Sequence, residues 1–451
     1  MMSRDERAPD PAAIKGSPAQ ALFAATLGFF TGFAAVALFG PTASRFQQLM
    51  RLSPMAVGLL VAMPALSGSL LRIPFAAWVD KGGGRKPYLV LLSLSILGMT
   101  GLYLVVQLLY PARIGPELYP VLLLLAVLAG CGIATFSVGI SQVSYWFPQK
   151  KQGTALGTYG GVGNLAPGLF SFLIPVALRE WGLAGSYLAW LVFLVAGASS
   201  YALFGRNAPY FQLLKQGTDR VAAREKAAAM GQELFPAWNI RESLRISAGA
   251  WKTWALVLVY FTSFGGFIGL TAWLPTYWQK FMGTGLLLAG GLTALYSILA
   301  SLVRVVGGYI SDRIGGYVTA TLGLATTLLG ATLLVLSGPF GFCLAAVVVL
   351  ALGMGMTNAA VFKLVPQAVP RAVGGAAGWV GGLGAFGGFV IPPLMALFVE
   401  TWGRRGYSLG FGLFLILGLA ALGAVLLLKR LSEAPAATRA TPQTVRESTT
   451  L

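Results

Sequence analysis

The sequence has 451 residues, of which 56% are hydrophobic and only 10% are charged, and its mean hydropathy is +0.75. Soluble domains carry about 25% charged residues, so this composition excludes an ordinary soluble globular protein. The formal net charge is +18, and the absence of histidine excludes histidine metal sites and a histidine proton relay.

Apolar stretches near 20 residues long recur along the whole sequence, and each is long enough to cross a bilayer as a helix. We predict twelve such spans, at approximately residues 20–41, 55–79, 87–109, 119–146, 152–178, 183–205, 252–279, 286–311, 317–337, 340–364, 372–400 and 406–429. The fold class is therefore an all-α membrane protein. Cys131 and Cys343 lie inside these spans, so we interpret both as buried small hydrophobic residues rather than disulfide partners.

The longest loop divides the spans into two sets of six. We expect a disordered cytoplasmic tail at 1–17, a six-helix bundle at 18–205, a cytoplasmic linker at 206–250, a second six-helix bundle at 251–430 and a disordered tail at 431–451. The linker combines mixed charge with apolar residues around Leu213, Leu214 and Leu234, which predicts a short helix on the cytoplasmic surface.

Most of the 32 lysines and arginines lie in the tails and in the loops between an even-numbered span and the next one. Cytoplasmic loops carry an excess of these residues. We therefore predict a multi-pass protein of the plasma (inner) membrane with both termini cytoplasmic. The net charge mostly encodes this topology, so we expect no nucleic-acid partner. A further role in attracting anions stays open.

Two arginines lie deep inside apolar spans. Arg72 in the second span and Arg304 in the eighth each stand eight residues before an aspartate, Asp80 or Asp312. If the aspartates mark helix ends, each guanidinium lies about 12 Å inside the span, where the hydrocarbon half-thickness is about 15 Å. A cation near mid-depth costs roughly 2.5 kcal/mol or more, so it is seldom retained without a function.

The positions of the acidic residues indicate what kind of partner these two arginines bind. All 14 Asp and Glu residues fall in the tails, in the linker or at span ends, so no internal counter-ion lies near mid-depth. An external anion is therefore a better partner than a structural ion pair. The planar guanidinium matches two oxygens of an oxyanion side by side. Two cations facing one cavity repel, and a bound anion would relieve this and draw the two halves together.

A glycine pattern repeats in the fifth and eleventh spans, at residues 155–164 and 376–385. The matching positions are Gly157, Gly160, Gly161 and Gly163 in the first copy and Gly378, Gly381, Gly382 and Gly384 in the second. Glycines at this spacing let helices pack closely, and they also let helices bend or slide and let backbone approach a small substrate. Asn164 has Ala385 as its counterpart, and its amide either bonds a neighbouring helix or donates to an anion.

The loops after the second and eighth spans repeat a charged pattern. Asp80 and Arg85 in the first copy, and Asp312 and Arg313 in the second, resemble the major facilitator superfamily signature G-x-x-x-D-R/K-x-G-R/K-R/K. The first copy has Ala76 in place of the glycine, and the second lacks the basic pair. A polar turn that only sets topology is the simpler alternative. The repetition favours a conformational latch, and two parallel six-span halves describe the superfamily's architecture.

Three segments carry a more specific resemblance. S-G-S-L-L-R-I-P at 67–74, G-G-V-G-N at 160–164 and G-G-L-G-A-F-G-G at 381–388 resemble signatures of the nitrate/nitrite porter family within that superfamily. The similarity covers all twelve spans. It implies that Arg72 and Arg304 clamp nitrate or nitrite and that Asn164 contributes.

The same resemblance implies a site lined by aromatic residues, which by local matching are Phe33, Phe136, Tyr260 and Phe264. From the residues alone, lipid contact or helix packing is the favoured explanation for each ring. As pore liners, flat rings would sandwich a planar anion and exclude bulkier tetrahedral ones.

These features predict a secondary active transporter that moves nitrate and nitrite by alternating access. Its partners are a small inorganic anion and the lipid bilayer, and we expect a monomer. We expect no catalytic residue, no cofactor and no metal, because the sequence has no metal-ligand cluster, nucleotide loop or nucleophile with a plausible base. A transporter of organic or phosphate anions is the alternative, and a membrane enzyme or receptor is disfavoured.

The coupling mode depends on charge. Nitrate stays ionised at physiological pH, and moving it against an inside-negative potential costs about 2.3 kcal/mol per 100 mV. Nitrate/nitrite exchange is electroneutral and needs no titrating residue, whereas proton symport normally needs an ionisable group in the pathway. The lack of histidine and of mid-depth carboxylates favours exchange. Tyrosines, waters, or Glu117, Glu180 and Glu400 near span ends keep symport open.

Overall fold

The computed structural model describes residues 14–236 and 240–433, and the regular structure within them is helical. Most of the two tails predicted to be disordered, residues 1–13 and 434–451, lies outside this part of the chain, as do residues 237–239. The first set of α-helices comprises α1 (Pro18–Phe33), α2 (Ala43–Met50), α3 (Pro54–Leu70), α4 (Arg72–Gly82), α5 (Arg85–Leu109), α6 (Tyr119–Gly130), α7 (Thr135–Trp146), α8 (Gln149–Gly163) and α9 (Leu165–Phe204).

Three short helices follow in the linker, where the sequence predicted one: α10 (Pro209–Lys215), α11 (Arg220–Ala229) and α12 (Ile240–Gly249). The second set comprises α13 (Trp251–Tyr260), α14 (Gly266–Thr276), α15 (Leu286–Ile314), α16 (Gly316–Leu336), α17 (Phe340–Ala368), α18 (Val373–Ala385), α19 (Gly387–Trp402), α20 (Gly406–Leu409) and α21 (Gly412–Glu433).

Eleven helical segments within the described residues are long and apolar enough to cross a membrane. One of them, Ala155–Phe204, has 50 residues, and its backbone leaves the helical conformation at Gly182, where φ is 67° and ψ is −173°. A crossing needs about 20 residues, so this segment accounts for two crossings. The prediction of an all-α membrane protein with twelve spans is confirmed.

Proline interrupts two spans beside the candidate anion-binding residues. Pro74 has no N–H to donate to the carbonyl one turn earlier, and α4 starts as a separate helix at Arg72. Pro167 has the same effect in the fifth span, where Asn164 occupies the break between α8 and α9. The seventh span contains a π-helical turn at Phe261–Gly265, a widening that is frequent at functional sites.

The two halves pack together at the end of the molecule remote from the linker, chiefly along α3 with α19 and along α9 with α15. A Cβ added to Gly58 of α3 would lie 2.6 Å from the Cβ of Ala396 in α19, so the helices are nearly in backbone contact. In the first turn of α3, the Met55 N–H donates to Glu400 Oε1 over 2.9 Å. The far end of the molecule is therefore closed.

The linker touches both halves at the opposite end. Phe211 and Leu213 of α10 are buried in an apolar cluster with Trp146 of the first half. On the second half, α12 packs against α18, where the Gly375 N–H donates to Ser243 Oγ over 3.1 Å. The linker thus frames the open end of the space between the halves.

Candidate functional site

The Arg72 side chain is only 1% exposed and reaches from the first half to the second. Its Nε donates to the Gly68 carbonyl over 3.1 Å within its own span. Its Nη1 donates to the Gly381 carbonyl over 3.2 Å, across the interface between the halves. Its Nη2 is buried and has no hydrogen-bond partner among the described residues. One edge of the guanidinium therefore remains available to an anion.

The half-buried Arg304 faces the same place from the second half. Its Cζ lies 5.9 Å from the ring centre of Phe136 and 5.5 Å from that of Phe264. The corresponding distances from Arg72 Cζ are 4.8 and 5.3 Å. Arg304 Nη1 is buried and also unpaired within the part of the chain that the structure describes. Two cations from opposite halves thus converge on one pair of aromatic rings, which stabilises each cation by cation–π attraction.

The four aromatic residues implied by the resemblance lie together in this layer. All are buried, which excludes the lipid-facing alternative: Phe33, Phe136, Tyr260 and Phe264. The Phe33 and Phe264 rings are parallel with centres 6.3 Å apart, and Tyr260 stacks on Phe264 at 4.8 Å. The Tyr260 hydroxyl has no hydrogen-bond partner among the described residues, so it adds another buried polar group without a protein partner there.

A flat anion does not fit between the rings of Phe136 and Phe264 as they stand. Their centres are 6.1 Å apart with planes tilted by 28°. Stacking contacts need about 3.5 Å on each side, so a sandwiched anion would require a separation near 7 Å. In this state the rings offer an anion one face or an edge.

Asn164 is 2% exposed and lies at the interface with α15. Its backbone carbonyl accepts a hydrogen bond from Ser301 Oγ over 3.1 Å, one turn before Arg304. The side-chain Oδ1 has no partner among the described residues. The interhelical hydrogen bond therefore uses the backbone, and the amide oxygen of Asn164 is left unpaired in a buried position.

The repeated glycines differ in what surrounds them. A Cβ on Gly163 would lie 1.9 Å from Phe29 Cδ1, one on Gly384 2.7 Å from Tyr260 Cδ1, and one on Gly382 2.7 Å from Ile73 Cγ1. These three allow rings and helices to approach the arginine layer closely. The other five meet only ordinary contacts or open space: Gly157, Gly160, Gly161, Gly378 and Gly381.

Each of the four candidate latch residues bonds to a residue of its own half. Asp80 Oδ1 accepts a hydrogen bond from the Tyr145 hydroxyl. Arg85 Nη2 donates to the Ala202 carbonyl over 2.8 Å. In the second half, Asp312 forms an ion pair of 2.9 Å with Lys363, and Arg313 lies over the Tyr309 ring at 4.3 Å and donates to its hydroxyl.

A cavity of about 510 Å³ leads from the arginine layer toward the linker. Its inner end is formed by Phe136 and Gly381, and its outer end by Ser243 and Leu244 of α12. Because the far end is closed by α3 and α19, the arginine layer is reached from the linker side.

Two further kinds of residue in this region were not predicted from the sequence. Phe29 lies among the site rings, 4.9 Å from Phe33 and 5.2 Å from Phe136, and the Tyr159 hydroxyl donates to the Phe136 carbonyl over 3.1 Å. Asn358 of α17 lies one turn before Phe362, whose ring packs edge-on against Tyr260 at 5.1 Å. Asn358 is 3% exposed, and its Oδ1 is unpaired within the described residues. An amide in an apolar span was the signal that identified Asn164, and it would also have identified Asn358.

Comparisons with known proteins place the chain in a family. The family model described as Major Facilitator Superfamily matches residues 22–390 and 292–449. A probable nitrate/nitrite antiporter, NarK1 of Thermus thermophilus, is 32% identical over 89% of this chain and 89% of its own length. A probable nitrate/nitrite transporter, NarK2 of Mycobacterium tuberculosis, is 31% identical over 79% of this chain and 83% of its own.

Among solved structures, the xylose transporter XylE from E. coli, in a partially occluded inward open conformation, matches with a TM-score of 0.68. The match covers 93% of this chain and 100% of that one at 16% sequence identity, so it bears on the fold alone.

Proposed function

Because the chain belongs to the nitrate/nitrite porter family of the Major Facilitator Superfamily, we propose that it carries nitrate and nitrite in a site between Arg72 and Arg304. Membership of this superfamily makes the protein a multi-pass membrane transporter and not an enzyme. The names of its relatives support the choice of anion, and the arrangement of buried polar groups supports the location.

The convergence of two unpaired guanidinium edges carries the proposal. Arg72 Nη2, Arg304 Nη1 and the Tyr260 hydroxyl are buried without partners among the described residues. An unsatisfied buried polar group costs about 1–3 kcal/mol, and more when it is charged. Nitrate and nitrite carry one negative charge and two or three oxygens in a plane, so either anion would satisfy several of these groups at once. The guanidinium fork suits such oxygens.

Alternating access follows from the two cations lying on different halves. Without an anion the two guanidinium groups repel, which opposes full closure around the site. A bound anion cancels this repulsion, so the closed intermediate forms when substrate is present. We assign the linker to the cytoplasm from the positive-inside rule. The cavity of this state then faces inward, and both termini are cytoplasmic.

The candidate latch acts in the other state of the transport cycle, in which the cytoplasmic end is closed. In this state the hydrogen bond of Asp80 with Tyr145 and the ion pair of Asp312 with Lys363 are each internal to one half, as expected when the linker ends of the halves are apart. We propose that Asp80, Arg85, Asp312 and Arg313 exchange their present partners for contacts between the halves when the cytoplasmic end closes.

Nitrate/nitrite exchange is the coupling mode that these residues support best. The ion pairs found among the described residues do not include Arg72 or Arg304, and the groups facing the site there are cations, rings, amides and a tyrosine hydroxyl. A site of this kind has no carboxylate to carry a proton alongside the anion. Exchange moves no net charge and therefore needs none.

Competition binding tests the proposed substrate. Nitrate binding to the purified protein should be displaced by nitrite at similar concentrations and should resist a tenfold excess of sulfate or phosphate. Displacement by phosphate at or below the nitrite concentration would instead identify a transporter of tetrahedral anions.

A further inference from the structure

A second cavity lies outside the transport pathway, on the outer face of α5 near the linker end of the molecule. Its volume is about 750 Å³. The residues that line it are Gly82, Arg85, Lys86, Leu89, Val90, Ser93, Leu94, Leu97, Asn207 and Lys215. The cavity therefore has a basic end beside the linker and an apolar wall along a membrane-spanning helix.

The basic end is formed by three cations, Arg85, Lys86 and Lys215. None of the described residues that line the cavity is acidic. Arg85 uses Nη2 to donate to the Ala202 carbonyl, but its Nε is buried without a partner among the described residues. Lys86 and Lys215 are exposed, and Lys86 Nζ lies 5.9 Å from the centre of the Trp78 ring. Three uncompensated cations around one concave surface favour an anionic group there.

The apolar wall is a stripe along α5. Leu89, Val90, Leu94 and Leu97 recur at helical spacing on one face, and Leu97 is 58% exposed. From Leu89 to Leu97 the helix rises about 12 Å, close to the hydrocarbon half-thickness of about 15 Å. The stripe thus spans most of one leaflet, starting from the basic end.

We propose that this cavity binds one anionic phospholipid, with its phosphate at Arg85, Lys86 and Lys215 and an acyl chain along the α5 stripe. Basic pockets at the cytoplasmic ends of membrane-spanning helices suit such headgroups. A free phosphate would satisfy the basic end but leave the wall unused, and a zwitterionic lipid would use the wall but add a positive charge to the basic end.

The bound lipid would also brace the loop that carries the first copy of the charged signature. Asn207 Nδ2 donates to the Gly82 carbonyl over 3.1 Å, and the Arg85 N–H donates to Asn207 Oδ1 over 2.9 Å. These bonds tie the loop after α4 to the start of the linker. A phosphate between Arg85 and Lys215 would add a second tie across the same junction.

Native mass spectrometry of the full-length protein tests this site, using phosphatidylglycerol and phosphatidylcholine of identical acyl chains. A cationic side chain near the phosphate contributes about fivefold to affinity, so Lys86→Gln with Lys215→Gln should weaken phosphatidylglycerol binding about 25-fold. The charge-retaining pair Lys86→Arg with Lys215→Arg should bind as the unaltered protein does. Lys226→Gln with Lys252→Gln removes the same charge elsewhere, in α11 and α13, and should change binding less than twofold.

Three results would overturn the proposal. The first is phosphatidylglycerol binding that survives the Lys86 and Lys215 glutamine pair. The second is equal binding of phosphatidylcholine by the unaltered protein. The third is displacement of the lipid by inorganic phosphate at the same concentration, which would reduce the site to a phosphate site without a lipid chain.

Discussion

Replacing Arg72 by lysine tests the proposal that its guanidinium group holds the transported anion. In the structure, Nε and Nη1 of Arg72 donate to the carbonyls of Gly68 and Gly381, and Nη2 is buried and unpaired among the described residues. Lysine keeps the charge but has one nitrogen at the end of a flexible chain. It cannot hold both carbonyls and also reach the anion, so Arg72→Lys separates the contribution of geometry from that of charge.

The size of the effect follows from the bonds lost. A hydrogen bond to a charged group contributes about 1.5–3 kcal/mol, so losing one to the anion should weaken nitrate binding about 10- to 150-fold. A Gly68 or Gly381 carbonyl that loses its hydrogen-bond donor lowers the stability of the folded protein rather than its affinity for the anion. We therefore expect a lower melting temperature together with weaker nitrate binding.

Isothermal titration with nitrate, together with a thermal melt, measures both effects. Arg404→Lys is the matched control, because Arg404 also donates to a carbonyl, that of Phe281, and also lies over that residue's ring, but outside the site. Its nitrate affinity should be unchanged. An Arg72→Lys protein that binds nitrate within threefold of the unaltered protein would refute the guanidinium clamp.

Two further substitutions test the surroundings of the arginines. Gly163→Ala places a Cβ 1.9 Å from a Phe29 ring carbon, so it should cost about 1–3 kcal/mol in stability and reduce transport. The control Gly157→Ala has nothing within 4 Å of the added Cβ and should change neither. Equal melting temperatures for the two variants would contradict this expectation. Tyr260→Phe removes a buried hydroxyl that is unpaired among the described residues. If this hydroxyl donates to the anion, nitrate affinity should fall about 3- to 10-fold without loss of stability. Unchanged affinity would exclude that role.

The sequence predicted the membrane fold because the crossings depend on hydropathy and length, which are local properties. It singled out Arg72 and Arg304 for a similar reason, since a cation in an apolar span is conspicuous whatever surrounds it. Both arginines approach the same rings from opposite halves, as the repeat at matching depth suggested.

The sequence could not predict which way the aromatic rings face. Lipid chains are as apolar as a protein interior, so a phenylalanine in a span carries no mark of which way it faces. Phe29 and Phe33 lie one turn apart in α1 and both join the ring cluster, yet only Phe33 was identified, by resemblance. The contacts of the charged loops could not be predicted from the sequence either, because Lys363 and Asp312 are brought into contact only by the packing of α15 against α17.

Counterflow in proteoliposomes tests the transport mode most directly. Labelled nitrate should accumulate rapidly in vesicles preloaded with nitrite or nitrate and slowly in empty ones, and an acidic exterior should not raise the rate in empty vesicles. This result is expected because Arg72 and Arg304 have unpaired buried nitrogens and take part in none of the ion pairs found among the described residues. Nitrate uptake into empty vesicles that is driven by external acid would contradict exchange and establish proton symport.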